Sequence, residues 1–94
     1  MFVGLLVVDC RIGDGHSLKE KRHILQSLIE KLRRNFNVAV AEVECQDLWQ
    51  RTRLAIVHVN SDGRNGQTTM DKISEELECD PRLLIIDSES ARLR

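Results

Sequence analysis

Six basic side chains, Lys19, Lys21, Arg22, Lys31, Arg33 and Arg34, fall between Ser17 and Phe36, against two acids, Glu20 and Glu30. This local excess of positive charge belongs to a chain whose 14 basic and 15 acidic residues give a formal charge of -1. No global field draws such a chain to nucleic acid or anionic lipid, so any anion-binding surface must be local. Ser17 and Glu20 form the S-x-x-E capping box that starts a helix. Lys19, Lys21 and Arg22 then crowd the positive end of the helix dipole, where cations are mildly unfavourable. Free N–H groups near Gly15, His16 and Ser17 could cradle a phosphate there, with Lys19 as point charge and Arg22 as fork. The competing reading is that these cations solvate an exposed helix face while Arg33 and Arg34 complement the C-terminal dipole.

A second constellation is Gln46-Asp47-Leu48-Trp49-Gln50-Arg51, where the single tryptophan stands beside amides and an arginine in a turn. Trp49 and Arg51 could stack on a base or a partner side chain. Alternatively, Trp49 folds back to cover the end of the core.

Other chemistries find no support in the spacing. His16, His23 and His58 make no H-x-x-x-H pair, and Cys10, Cys45 and Cys79 make no C-x-x-C, so neither metal nor disulfide framework is expected. The cysteines read as reduced thiols of a cytoplasmic protein. No serine or cysteine occupies a nucleophile elbow, and Asp62-Gly63-Arg64-Asn65-Gly66 lacks the G-x-x-x-x-G-K-[ST] of a phosphate loop. Glu42/Glu44 and Glu75/Glu76 read as solvating surface charge. With two phenylalanines and no tyrosine, an extensive aromatic platform for bases is excluded. We expect no enzyme activity, no cofactor and no small-molecule substrate.

The elements that must position these residues follow from hydrophobic periodicity. The 94 residues, 41% apolar and 31% charged, have the size and balance of a single globular domain spanning 1–94. The opening apolar run lacks a preceding basic segment and is interrupted by charge, which predicts neither a signal peptide nor a membrane anchor. Phe2 to Ile12 is β-branched and reads as a strand that ends at the turn Gly13-Asp14-Gly15. Leu18, Leu25, Leu28, Ile29, Leu32 and Phe36 form the apolar stripe of a helix from Ser17 to Phe36. Asn37 to Asp47 alternates as an edge strand, and Thr52 to Asn60 is a further strand in which neither face stands out as the inward one. A second helix is expected from Gln67 to Cys79 on Met70, Ile73 and Leu77. Asp80-Pro81 ends it before a last strand from Arg82 to Glu89.

Strand, helix, strand, strand, helix, strand predicts an α+β fold, the ferredoxin-like βαββαβ sandwich, a four-stranded antiparallel sheet with two helices on one face. The uncovered face would then expose Val3, Leu5, Val7, Val38, Val40, Leu83 and Ile85, which predicts a homodimer.

Ser17 to Arg22 and Phe36 to Arg51 resemble the two signature blocks of the bacterial YlxP-like family. The resemblance implies a small cytosolic ferredoxin-like protein, encoded beside translation initiation and ribosome-maturation factors, with no established activity and no assigned residue roles. It therefore points towards RNA or the ribosome as partner. Combined with the basic helix, the expected function is a non-catalytic RNA- or ribosome-associated module. Lys19, Lys21, Arg22, Arg33 and Arg34 would contact phosphate, with Trp49 and Arg51 nearby. The alternative is a homo-oligomeric interaction or regulatory module with no nucleic-acid role. An acyl-phosphate hydrolase on the same fold lacks its loop motif.

Overall fold

The computed structural model describes residues 1–13 and 16–94, so Asp14 and Gly15 of the first turn lie outside the described residues. Six elements follow one another: β1 (Phe2–Ile12), α1 (Leu18–Asn35), β2 (Val38–Glu44), β3 (Arg51–Asn60), α2 (Gly63–Cys79) and β4 (Leu83–Arg92). The strands form one antiparallel sheet in the order β2-β3-β1-β4. This is the ferredoxin-like arrangement, with the two apolar strands β1 and β3 in the centre.

Alternation along β1 decides which side the helices cover. Phe2, Leu6, Val8, Cys10 and Ile12 are buried, and they pack with Leu25, Leu28 and Leu32 of α1 and with Met70, Ile73 and Leu77 of α2 in one core. The inward face of β3, open to two readings in the sequence, is Thr52, Leu54, Ile56 and His58, all buried. His58 is accommodated because its ring nitrogens are both engaged: Nδ1 stands 2.8 Å from the Asn37 carbonyl and Nε2 3.3 Å from the Asn60 amide nitrogen. With Nδ1–H donating to the carbonyl, Nε2 accepts from the amide.

The open face differs from expectation on the two edge strands. Val40 pairs with Ile56 and Val38 with His58, so both face the helices. Leu83 and Ile85 pair with Ile12 and Cys10 and do the same. The open face instead carries Val3, Leu5 and Val7 beside Val59, Val57 and Ala55, bordered by Ala39, Ala41 and Ala91. Each edge strand is also interrupted: the register shifts between Glu42 and Glu44 on β2, and opposite Asp9 and Cys10 on β4. These are β-bulges, in which one extra residue kinks the strand.

Helix α2 begins four residues before the predicted start and includes both glycines of the expected loop. The Asp62 side chain accepts from the Arg64 N–H and caps it. Gly66 is present for packing, because a Cβ there would lie 2.3 Å from Cδ1 of Phe2. Strand β4 in turn runs three residues beyond Glu89 to Arg92.

Candidate anion-binding surface

Helix α1 starts where the capping box predicts, with the Ser17 hydroxyl accepting from the Glu20 N–H at 3.1 Å. The reciprocal half is displaced by one residue. The Glu20 carboxylate accepts from the N–H of His16 at 2.7 Å. A carboxylate therefore already occupies the anion position at His16, which removes that group from the expected phosphate cradle. Gly15 of that cradle lies outside the described residues.

Lys21 is the clearest correction to the predicted site. It is 1% exposed, on the face of α1 that also buries Leu25, Leu28 and Leu32. Its ammonium donates to the carbonyls of Cys45 and Leu48, each at 2.5 Å, and pairs with the Glu42 carboxylate at 2.9 Å. The Thr52 hydroxyl donates to the same Glu42 oxygen at 2.6 Å. A buried ammonium has three protons to place, and two carbonyls and a carboxylate take them. Lys21 is thus a structural strut and cannot reach a ligand. Its partners also explain the turn after β2, where Cys45 adopts the left-handed conformation with φ 69°. The lysine draws both carbonyls of that turn inward.

The other basic residues of α1 separate into two groups. Lys31 is half-buried between the helices, 3.7 Å from Glu76, which also accepts from the Asn35 amide at 3.0 Å. Lys19, Arg22, Arg33 and Arg34 are exposed, and among the described residues none has an ion-pair partner. Lys19, Arg22 and Arg33 share one stripe at helical spacing, about 21 Å from end to end at 1.5 Å per residue. Arg22 and Arg33 mark the two ends of a shallow groove between α1 and β2, floored by Leu25 and Ile29 with Gln26 at its rim. Glu30 and Glu42 are the acidic residues of this groove, and the charge of Glu42 is already engaged by Lys21. A second concavity runs over Ser17, Lys19, Arg22 and His23 on the first turns. The two meet at Arg22.

Trp49 lies beyond the N-terminal end of this stripe. The residue is 39% exposed, and its ring sits 6.2 Å, at a tilt of 48°, from the ring of His16. It does not cover the core. Arg51 is not part of this cluster, because it projects from the open sheet face, opposite Arg11, while α1 lies on the other face. The structure therefore joins Lys19, Arg22 and Arg33, sets Trp49 at one end, and separates Arg51.

Two residues central to this geometry were missed as such. Glu42 reads as surface charge in the sequence, yet it occupies the helix-facing side of β2 as the counter-ion of Lys21. Arg11, on the opposite face of the sheet, falls within the strand Phe2 to Ile12 and is not singled out by the sequence. The signal available was its odd position in β1, which matches the odd positions Arg51 and Arg53 in β3.

The Arg82 guanidinium, hydrogen-bonded to Asp80 at 2.8 and 3.0 Å, holds that carboxyl below its ordinary range. Burial, assisted by the Asp9 charge, pushes the Cys10 thiol up to about 11. Among the described residues no group of three metal-ligating side chains converges, and no helix is long and apolar enough to cross a membrane.

Comparison with known proteins gives a family without a chemistry. Residues 3–90 match the family described as "Protein of unknown function (DUF503)". The chain is also 35% identical over 86 residues to the uncharacterized protein YlxP of Bacillus subtilis, covering 92% of this chain and 84% of that protein. The chain belongs to this family.

Proposed function

We propose that this member of the DUF503 family is a non-catalytic RNA- or ribosome-associated module that grips phosphate backbone along the exposed side of α1. The observation that carries the reading is the row Lys19, Arg22 and Arg33, cationic, exposed and without carboxylate partners among the described residues. Cations so placed are neutralised by solvent ions, and releasing those ions to a polyanion favours binding. Base-stacking recognition on the sheet is disfavoured, since Val3, Leu5, Val7, Ala55, Val57 and Val59 of the central strands offer no aromatic ring. Trp49 is the one exposed aromatic beside the row. Three free cysteines fit a reducing compartment such as the cytoplasm.

The test is anisotropy with a labelled single-stranded RNA across a salt series. Four contacts, from Lys19, Arg22, Arg33 and Arg34, give an expected log–log slope near about -3, at roughly -0.7 per contact. The pair Lys19→Glu, Arg22→Glu is expected to weaken binding by about tenfold or more. Salt-independent binding, or binding unchanged by the pair, sinks the reading.

A second reading, association with another copy of this chain, rests on the open sheet face. Nine small or branched apolar residues in three successive rows across the sheet leave it flat, and Val59 is 47% exposed. At about 3.3 Å per residue and 4.8 Å per strand, these three rows cover roughly 400 Å² on each copy, about half of what one partner contributes to a standard stable interface, so they would form its apolar centre. Such a dimer is two-fold, and both α1 rows remain on its outside. Because Ile85 faces the core, the disrupting pair is Leu5→Lys with Val57→Lys. A monomeric mass for the unmodified protein in sedimentation at tens of micromolar removes this reading and leaves the first intact.

A further inference from the structure

On the open face, at the end of the sheet where β1 finishes and β3 begins, Arg11 and Arg51 are directly opposed across the two central strands. Their neighbours on these strands, Cys10, Ile12 and Thr52, point into the core, so both guanidiniums stand on the open side. Two like charges facing each other across a strand pair repel. The surroundings do not relieve this. The nearest carboxylates by register are one row away: Asp9 is held by Arg53 at 2.9 Å, Asp87 lies opposite Asp9, and Glu44 lies opposite Arg53. Among the described residues none comes within 4.0 Å of Arg11 or Arg51. Leu84, the residue beside Arg11 on β4, brings no charge. Moreover, Nε of Arg51 is shielded from solvent and has no hydrogen-bond partner. A guanidinium N–H withdrawn from water and left unpaired is unfavourable unless a ligand completes it.

We propose that Arg11 and Arg51 form an oxyanion site that takes a phosphate group. Two guanidinium forks across one strand pair suit a tetrahedral oxyanion, each offering two parallel N–H donors, and the Nε–H of Arg51 is one of them. The phosphate would cancel the cross-strand repulsion and, once the Arg51 side chain turns to meet it, satisfy the orphaned donor. This site lies on the sheet face opposite α1, so it does not depend on the row Lys19, Arg22 and Arg33. The phosphate group is the same free in solution or within an RNA chain, and the same two side chains would hold either.

The test follows the arginine Nε–H resonances of the full chain by NMR, assigned with Arg11→Gln and Arg51→Gln. Inorganic phosphate and a short single-stranded RNA are titrated in separate arms at constant ionic strength, with chloride as control. The expected result is a saturable shift of the Arg51 Nε–H that chloride does not reproduce. Affinity should fall about tenfold or more in Arg11→Gln. A shift with phosphate identifies a free source, and a shift with RNA alone identifies the backbone; either supports the site. In parallel, the effective ligand should raise the melting temperature of the wild type more than that of Arg51→Gln, a comparison that holds even if the variant is less stable. A resonance unmoved in both arms, a shift matched by chloride, or an affinity unaltered in Arg11→Gln overturns the proposal.

Discussion

The ammonium of Lys21 and the carboxylate of Glu42 stand 2.9 Å apart between α1 and the helix-facing side of β2, and the same ammonium holds the turn at Cys45 and Leu48. Removing the lysine leaves a half-buried carboxylate and two carbonyls short of a donor. Lys21→Met is therefore expected to cost about 2–4 kcal/mol, a loss characteristic of breaking a buried pair from one side. Urea unfolding measures it. A variant within about 0.5 kcal/mol of wild type would mean that the strut contributes little.

Gly66 offers a case where helix propensity and packing oppose each other. Alanine in mid-helix is favoured over glycine by about 1 kcal/mol, but here its methyl would meet the Phe2 ring at 2.3 Å. The ring has little room to retreat, because it is buried and also lies close over Gly4, where a Cβ would meet Cε1 at 2.8 Å. Gly66→Ala should destabilise by about 1–3 kcal/mol, and the penalty should shrink in a Phe2→Leu background. Equal penalties in both backgrounds would place the cost elsewhere.

The Asp80 carboxylate is favoured in the folded chain by its hydrogen bonds from Arg82, so its pKa lies below the ordinary 3.8. A depressed pKa contributes stability that is fully present above the unfolded value and lost as pH falls through the folded one. The stability difference between wild type and Asp80→Asn should accordingly be constant near neutral pH and decline below about pH 4. Arg82→Gln should flatten that dependence. Paired denaturant titrations at several pH values provide the measurement, and a difference that grows on acidification would contradict the assignment.

The three thiols should react in an order set by burial. Cys79 is exposed, Cys45 is half-buried and Cys10 is fully buried with its thiol raised to about 11. At pH 8 only about one Cys10 in a thousand is then thiolate, before access is considered. Alkylation followed by mass spectrometry should label Cys79 first and Cys45 next, with Cys10 labelled only on unfolding. Early labelling of Cys10 would show that the centre of the sheet opens readily.

Much of the fold was legible because its signals are local. The Ser17 cap, the leucine stripe of α1 and the β-branched β1 each follow from nearest neighbours in the sequence. The facing of the edge strands did not. Glu42 on β2 made its own face look solvated, and Val38 and Val40 were assigned to the open side with it, although the carboxylate points inward to meet a lysine that looked like surface. Leu83-Leu84-Ile85-Ile86 has no alternation to read, so β4 could be turned only by its pairing with β1. The same ambiguity affected the candidate site. Charge count placed Lys21 with Lys19 and Arg22, but one helical step separates a buried position from an exposed one.

The bulges at the two margins of the sheet bear on what this chain does at high concentration. A strand with open N–H and C=O groups on one side is a template, and a sheet with two such margins can recruit copies without end into a fibre. Here a newcomer aligned on Val38–Glu42 loses registry at Val43, and one aligned on Asp87–Arg92 loses it at Ile86. Neither margin offers a long straight rail. The kinks thus disfavour growth by strand addition on both sides of a sheet whose central strand is so apolar.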